Sequence, residues 1–174
     1  MPNNPAKLYE KDFVRWTEVR AATLRKAACL GINLPLDWEN LAEEIESLGR
    51  SQRRELRSRI ATIIVHLLKL QCSPAADPWA NWIETIARER ASIEDLLDDS
   101  PSLRNELAET VMRETLRAVK RVARGLRHYG ETSPNTMALI ENAKFSEVQV
   151  LDDWFPGDDP NSVPLPGAGE RGKR

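Results

Sequence analysis

Residues 36 to 72 read LDWENLAEEIESLGRSQRRELRSRIATIIVHLLKLQC, and the reading of this stretch decides the fold. Trp38, Leu41, Ile45, Leu48, Gln52, Leu56, Ile60, Ile63, Leu67 and Leu70 recur every three or four residues. At about 100° per residue they keep to one side of a helix from end to end. A true break resets such a phase, and here it survives Gly49. One long helix over about 36–72 is therefore expected, with a kink at Gly49 or a fresh start capped by Ser51 as the alternatives. Gly49 falls near the middle of the apolar side, where a missing side chain lets another backbone come close.

Working outward, the same periodicity recurs and strand signals are nearly absent. Asn4-Pro5 has the form of an N-cap followed by a first-turn proline and opens a segment ending near Gly31. Tyr9, Phe13, Trp16, Leu24 and Ala27 share one of its faces. Leu34-Pro35 then breaks the chain. Asp77-Pro78 opens a helix through Asp98 with Trp79, Ile83, Ile86, Ile93 and Leu97 inward. Ser100-Pro101 opens another to about His128, burying Leu107, Val111, Thr115, Ala118, Val122 and Leu126, with Gly130 as its stop. Ser133-Pro134 opens a short helix to about Asn142. Beyond it, SEVQVLDDWF is a weak amphipathic piece expected to lay Val148, Leu151, Trp154 and Phe155 over one end of the bundle. The expectation is an all-α fold: a single-domain helical bundle of four main helices plus a short C-terminal helix over 1–155. A Pro/Gly-rich tail follows over 156–174.

Composition agrees with that class. Charged residues at 30% and apolar ones at 41% suit a globular chain rather than a disordered or membrane-spanning one. No apolar run approaches the roughly 18 residues of a spanning helix, and the N-terminus lacks the regions of a signal peptide. Cys29 and Cys72 make no metal spacing, which favours a reducing compartment and a cytoplasmic address. A net charge of −2 argues against global attraction to nucleic acid.

The charged residues divide into two groups. On the long helix Glu39, Glu43, Glu46, Arg50, Arg53 and Arg57 form one ladder beside the apolar side, and Glu46 with Arg50 is an i, i+4 pair. Such a pair contributes roughly 0.2 to 0.5 kcal/mol, so a solvated helix face explains most of the pattern. A di-metal bundle needs Glu-x-x-His on two helices. Here Ile63 stands three residues before His66 and Gly125 three before His128, so the motif is absent. No metal or cofactor is implied, although Glu43, Glu44, Glu46, His66 and Arg90 are the candidates should the chain be a hydrolase. The expectation for His66 is a half-buried packing residue with one hydrogen bond. Arg90 sits within an apolar stripe and must be paired, with an inward carboxylate such as Glu43, Glu44 or Glu46 as the expected acceptor.

The second group is less ordinary. In RETLRAVKRVARGLRHYG the cations Arg113, Arg117, Lys120, Arg121, Arg124 and Arg127 fall within about 120° of the helical wheel, opposite the apolar face. Helix-dipole attraction fades within a turn and does not account for a stripe of about four turns. A solvated or internally paired face is the first reading of the stripe, and an acidic protein partner the second. Nucleic acid is disfavoured, because no aromatic interleaves the cations to stack on bases. Nucleotide-binding glycine loops, the nucleophile elbow GxSxG and the zinc motif HExxH are all missing.

Four strings, LYEKDFVRWTEVRAATLR, LDWENLAEEIESLGRSQRRELRSRI, HLLKLQ and WANWIETIARERASIEDLLDDSPSL, resemble successive blocks of the bacterial "domain of unknown function 29" family over residues 7 to 127. VLDDWFPGD loosely echoes that family's acidic-aromatic ending. The resemblance implies an all-helical, cytoplasmic bacterial protein. It carries over no activity, cofactor or catalytic residue, and it marks WENLAEEIESLG and HLLK as hallmark strings. A helical interaction or regulatory module is the leading expectation. A metal-dependent or acid/base hydrolase on Glu43, Glu46 and His66 is the alternative, and a nucleic-acid accessory role the second.

Overall fold

The computed structural model describes residues 5–31, 34–72, 78–129 and 133–158. These residues form seven α-helices and two short 3-10 helices, with no strand among them. The all-α expectation is met. The helices are α1 (Pro5–Lys11), α2 (Phe13–Cys29), α3 (Trp38–Cys72), α4 (Trp79–Asp99), α5 (Leu107–Tyr129), α6 (Pro134–Glu141) and α7 (Glu147–Leu151). The expected caps at Asn4 and Asp77, the stop at Gly130 and the tail from residue 159 onward lie outside the described residues.

The long helix is one piece, 35 residues unbroken through Gly49. Asp37 starts it, its carboxylate accepting from the Asn40 amide N–H at 3.2 Å. Helix α6 also matches expectation, with Ser133 as N-cap and Asn142 as C-cap. Two elements differ. The first segment is two helices, because Asp12 leaves helical geometry at φ −162° and caps α2 through the Arg15 amide. The start at Ser100-Pro101 is a 3-10 helix, Pro101–Glu106, before α5 proper. The Ser100 hydroxyl accepts from the Val14 amide at 3.3 Å, and the Ser100 carbonyl accepts from the Leu103 amide at 3.0 Å to close that turn.

The chain divides into two compact units, residues 1–56 with 94–106, and residues 57–93 with 107–174. In the first, α2 lies against the opening half of α3. Val14, Thr17 and Ala21 are its buried face, not the expected aromatic side. Tyr9, Phe13 and Trp16 instead pack on one another, with ring centroids 4.9 to 5.8 Å apart. On α3 the buried line runs through Ala42, Gly49 and Leu56. That line is one residue, about 100°, round from the expected Leu41 and Leu48, which are 41% and 47% exposed. The small residues face inward because α2 comes too close for leucines: a Cβ built at Gly49 collides with Thr17 Oγ1. Asp12 ties the 3-10 helix to α2, accepting from the Ser102 amide at 2.9 Å and its hydroxyl at 2.8 Å.

The second unit holds most of the core. Ile60, Ile63, Ile64, Leu67, Leu68 and Leu70 of α3 are all buried, a wider face than the single expected stripe. A helix apolar over so much of its circumference has neighbours on several sides. Ile86 and Ile93 of α4, Val111, Ala118 and Val122 of α5, and Ile140 and Val150 complete it. The inward residues expected on α4 and α5 are buried or half-buried. In the C-terminal segment Leu151, Trp154 and Phe155 are half-buried as expected, but Val150 is the buried anchor and Val148 faces out, contrary to the expectation for Val148. Ser146 and Gln149 form a reciprocal capping box that starts α7 and sets this register.

Candidate functional site

Helix α5 carries a sharply divided surface. Leu107, Val111, Thr115, Ala118 and Val122 are buried, while Arg117, Lys120, Arg121, Arg124 and Arg127 are exposed and Arg113 is half-buried. The ends of the cationic stripe are compensated from within the molecule. Glu114, only 5% exposed, takes Arg117 at 2.7 Å and Arg113 at 3.6 Å. Glu109 lies 3.4 Å from Arg113, and Glu141 of α6 lies 3.4 Å from Arg127. Internal pairing, one of the open readings, thus accounts for half the stripe. Lys120, Arg121 and Arg124 have no ion-pair partner among the described residues. Their charge reaches out about one Debye length, roughly 8 Å at physiological salt.

Beside the cations are two side chains that the sequence reading passed over. Met112 and Leu116, one turn apart on α5, are each 61% exposed. Apolar residues outside the buried stripe at i, i+4 spacing, next to Arg113 and Arg117, were the available signal. Together they give a surface with an apolar edge and a basic flank.

Glu39, Glu43 and Glu46 of α3 lie in ion pairs with Arg25 and Arg50. Glu46 accepts from Arg25 Nη2 at 2.9 Å and lies 3.4 Å from Arg50, while Arg25 Nε also reaches Glu39 at 3.0 Å. The hydrogen bond and charge of Arg25 hold the Glu46 carboxyl below the ordinary carboxylate value. Glu43 lies 3.9 Å from Arg50, and Glu44 is exposed with no ion pair among the described residues. A second junction has Arg53 donating to Glu18 at 2.5 Å and Glu106 at 2.6 Å. Burial pushes Glu18 upward, but the hydrogen bonds and charges of Arg53 and Arg15 together outweigh it and leave the carboxyl lowered.

His66 stands apart from these acids. Glu46 and His66 are twenty residues apart on α3, about 30 Å along the helix, so the alternative Glu43, Glu46 and His66 site is not one that neighbouring turns of α3 make. Among the described residues no group of three or more His, Cys, Asp or Glu could hold a metal ion. His66 is half-buried, its ring 6.4 Å from Trp82, and Lys69 sits over that indole at 5.6 Å. Burial and the charge of Lys69 push its pKa down, so the ring is neutral at pH 7. The expected hydrogen bond is missing at Nδ1, which is buried without a partner among the described residues.

Arg90 is 8% exposed on α4, and three backbone carbonyls are among its acceptors, where a carboxylate is expected. Nε donates to Val150 O at 2.9 Å, and Nη2 donates to Gln149 O at 3.0 Å and Trp154 O at 2.8 Å. Phe155 lies against the guanidinium at 5.0 Å. The physical reason is that α7 ends at Leu151, and the last carbonyls of a helix lack intrahelical donors. A planar five-donor cation satisfies several of them at once.

The family model described as "Domain of unknown function DUF29" matches residues 8–155, reaching past the limit of 127 set by the recurring strings. No curated protein matches the chain. An alpha-helical protein of unknown function from Rhodospirillum rubrum ATCC 11170, solved by crystallography, is 25% identical and superposes with a TM-score of 0.61, covering 85% of this chain and 98% of that one.

Proposed function

This chain belongs to the DUF29 family, and we propose that it is a cytoplasmic bacterial helical interaction module that holds an acidic protein partner on α5. The observation that carries the reading is that Lys120 and Arg124, which have no ion-pair partner among the described residues, flank exposed Met112 and Leu116 on one helix, with Arg121 farther round the cationic side. Cations steer and orient an acidic partner, and desolvated apolar contacts slow its departure. Internal acids neutralise Arg113, Arg117 and Arg127 but leave the middle of the stripe available. The cytoplasmic, bacterial address rests on the family resemblance and on two unpaired cysteines. Nucleic acid is disfavoured by the net charge of −2 and by the lack of an aromatic among the cations.

The test is capture on immobilised protein from a bacterial lysate, compared between wild type and K120E/R121E/R124E. All three side chains are exposed, so the fold is expected to survive reversal. Acidic proteins retained by wild type and lost by the variant support the reading. Identical retention by both overturns it, and retention of nucleic acid alone moves the site to the other polymer.

A further inference from the structure

We infer that the acidic partner of α5 is a second copy of this chain, and that it presents the solvent side of the opening half of α3. This rests on the reading of α5 as a docking face and names what docks there. Leu41 and Leu48 are exposed one heptad apart, and exposed Glu44 stands between them without an ion pair among the described residues. At about 100° per residue, exposed Asp37 falls on the same side, its carboxylate already accepting from Asn40 at 3.2 and 2.6 Å, and no Lys or Arg between 37 and 48 does. This is a surface of two leucines set among carboxylates.

That pattern is the counterpart of α5. There Met112 and Leu116 stand beside Arg113, Lys120 and Arg124, with Arg117 and Arg121 farther round, and Lys120, Arg121 and Arg124 have no ion-pair partner among the described residues. The α3 surface runs about 17 Å from Asp37 to Leu48, and the α5 surface about 18 Å from Met112 to Arg124, so one helix lies along the other over its full working length. Apolar side chains meet apolar side chains, and carboxylates meet cations. The like pairings are excluded by charge: α5 on α5 opposes guanidiniums, and α3 on α3 opposes carboxylates. The contact is therefore heterologous, one face of a copy on the other face of the next. Both faces consist of ordered helix, so docking needs no prior folding.

The experiment is sedimentation velocity of the full chain from about 1 μM to roughly 1 mM, the range in which weak protein contacts saturate. Mass is expected to rise with concentration and to fall back as salt is raised. K120E/R121E/R124E and L41S/E44K/L48S are each expected to stay monomeric, with circular dichroism and melting checking that each is folded. An equimolar mixture of the two regains a 1:1 species, because each variant keeps the half that the other has lost. A wild type that is monomeric throughout overturns the inference, as does a mixture that fails to recombine or a variant that still associates. If wild type is monomeric yet its lysate capture still depends on α5, the second copy is wrong and the docking reading stands. If α5 reversal changes neither assay, both fall.

Discussion

Gly49 of α3 lies directly beneath Thr17 of α2, so close that a single added methyl would overlap the threonine hydroxyl. Thr17 cannot easily turn aside, because Oγ1 donates to Val14 O at 2.7 Å. The closeness of two helices at this point decides which side of α3 is buried in its opening half. It also leaves Leu41 and Leu48 facing outward.

A G49A variant therefore measures this contact. Alanine in a helix interior gains about 1 kcal/mol over glycine, while overpacking costs about 1 to 3 kcal/mol, so a net loss of about 1 kcal/mol is expected. Adding T17A should restore most of it, giving a favourable coupling in a double-mutant cycle by urea denaturation. Additive losses in that cycle would show that the two side chains do not compete for the same space.

Arg90 offers a second test. Removing a buried guanidinium that serves three carbonyls leaves acceptors unsatisfied, and R90A is expected to lose about 2 to 4 kcal/mol. Lysine carries the charge but not the planar fork, so R90K should recover only part of the loss. Hydrogen exchange should quicken over residues 146–155 in both variants. Unchanged protection there would mean that Val150 alone anchors the segment.

Stability should depend on pH in two windows. Glu18 and Glu46 titrate below their ordinary value near 4.5, so the stability they contribute is present above that pH and is lost as pH falls through the lowered values. His66 is lowered from 6.5, mainly by burial, so the unfolded chain takes up its proton first and stability falls as pH drops below 6.5. Melting curves of E18Q/E46Q should flatten the acid limb, and H66F should remove the shallower step above it. An NMR midpoint for His66 at or above 6.5 would contradict its burial.

The two thiols should differ in reactivity. Burial pushes Cys72 up to about 11, which leaves about one thiolate in a thousand at pH 8. Cys29 is exposed. A disulfide reagent at pH 8 should modify Cys29 first and Cys72 only as the chain opens, and equal rates would show that Cys72 is accessible.

The sequence by itself determined that the chain is helical, that α3 runs through Gly49, which side of α5 is buried, and where α6 is capped. These follow from forces acting within three or four residues, namely apolar periodicity, capping hydroxyls and proline starts, and such forces read the same in any surroundings. Tertiary structure decided the rest. The break at Asp12 depends on a carboxylate shared with Ser102, ninety residues away, and the exposure of Leu41 and Leu48 beside the expected close approach at Gly49 depends on how near α2 can come. The carbonyls around Arg90 and the acids that quench half of the α5 stripe arrive from later in the chain or from a neighbouring turn. A helix wheel ranks its faces by greasiness, but close packing selects the face whose shape fits its neighbour, and that neighbour is set by the fold rather than by local sequence.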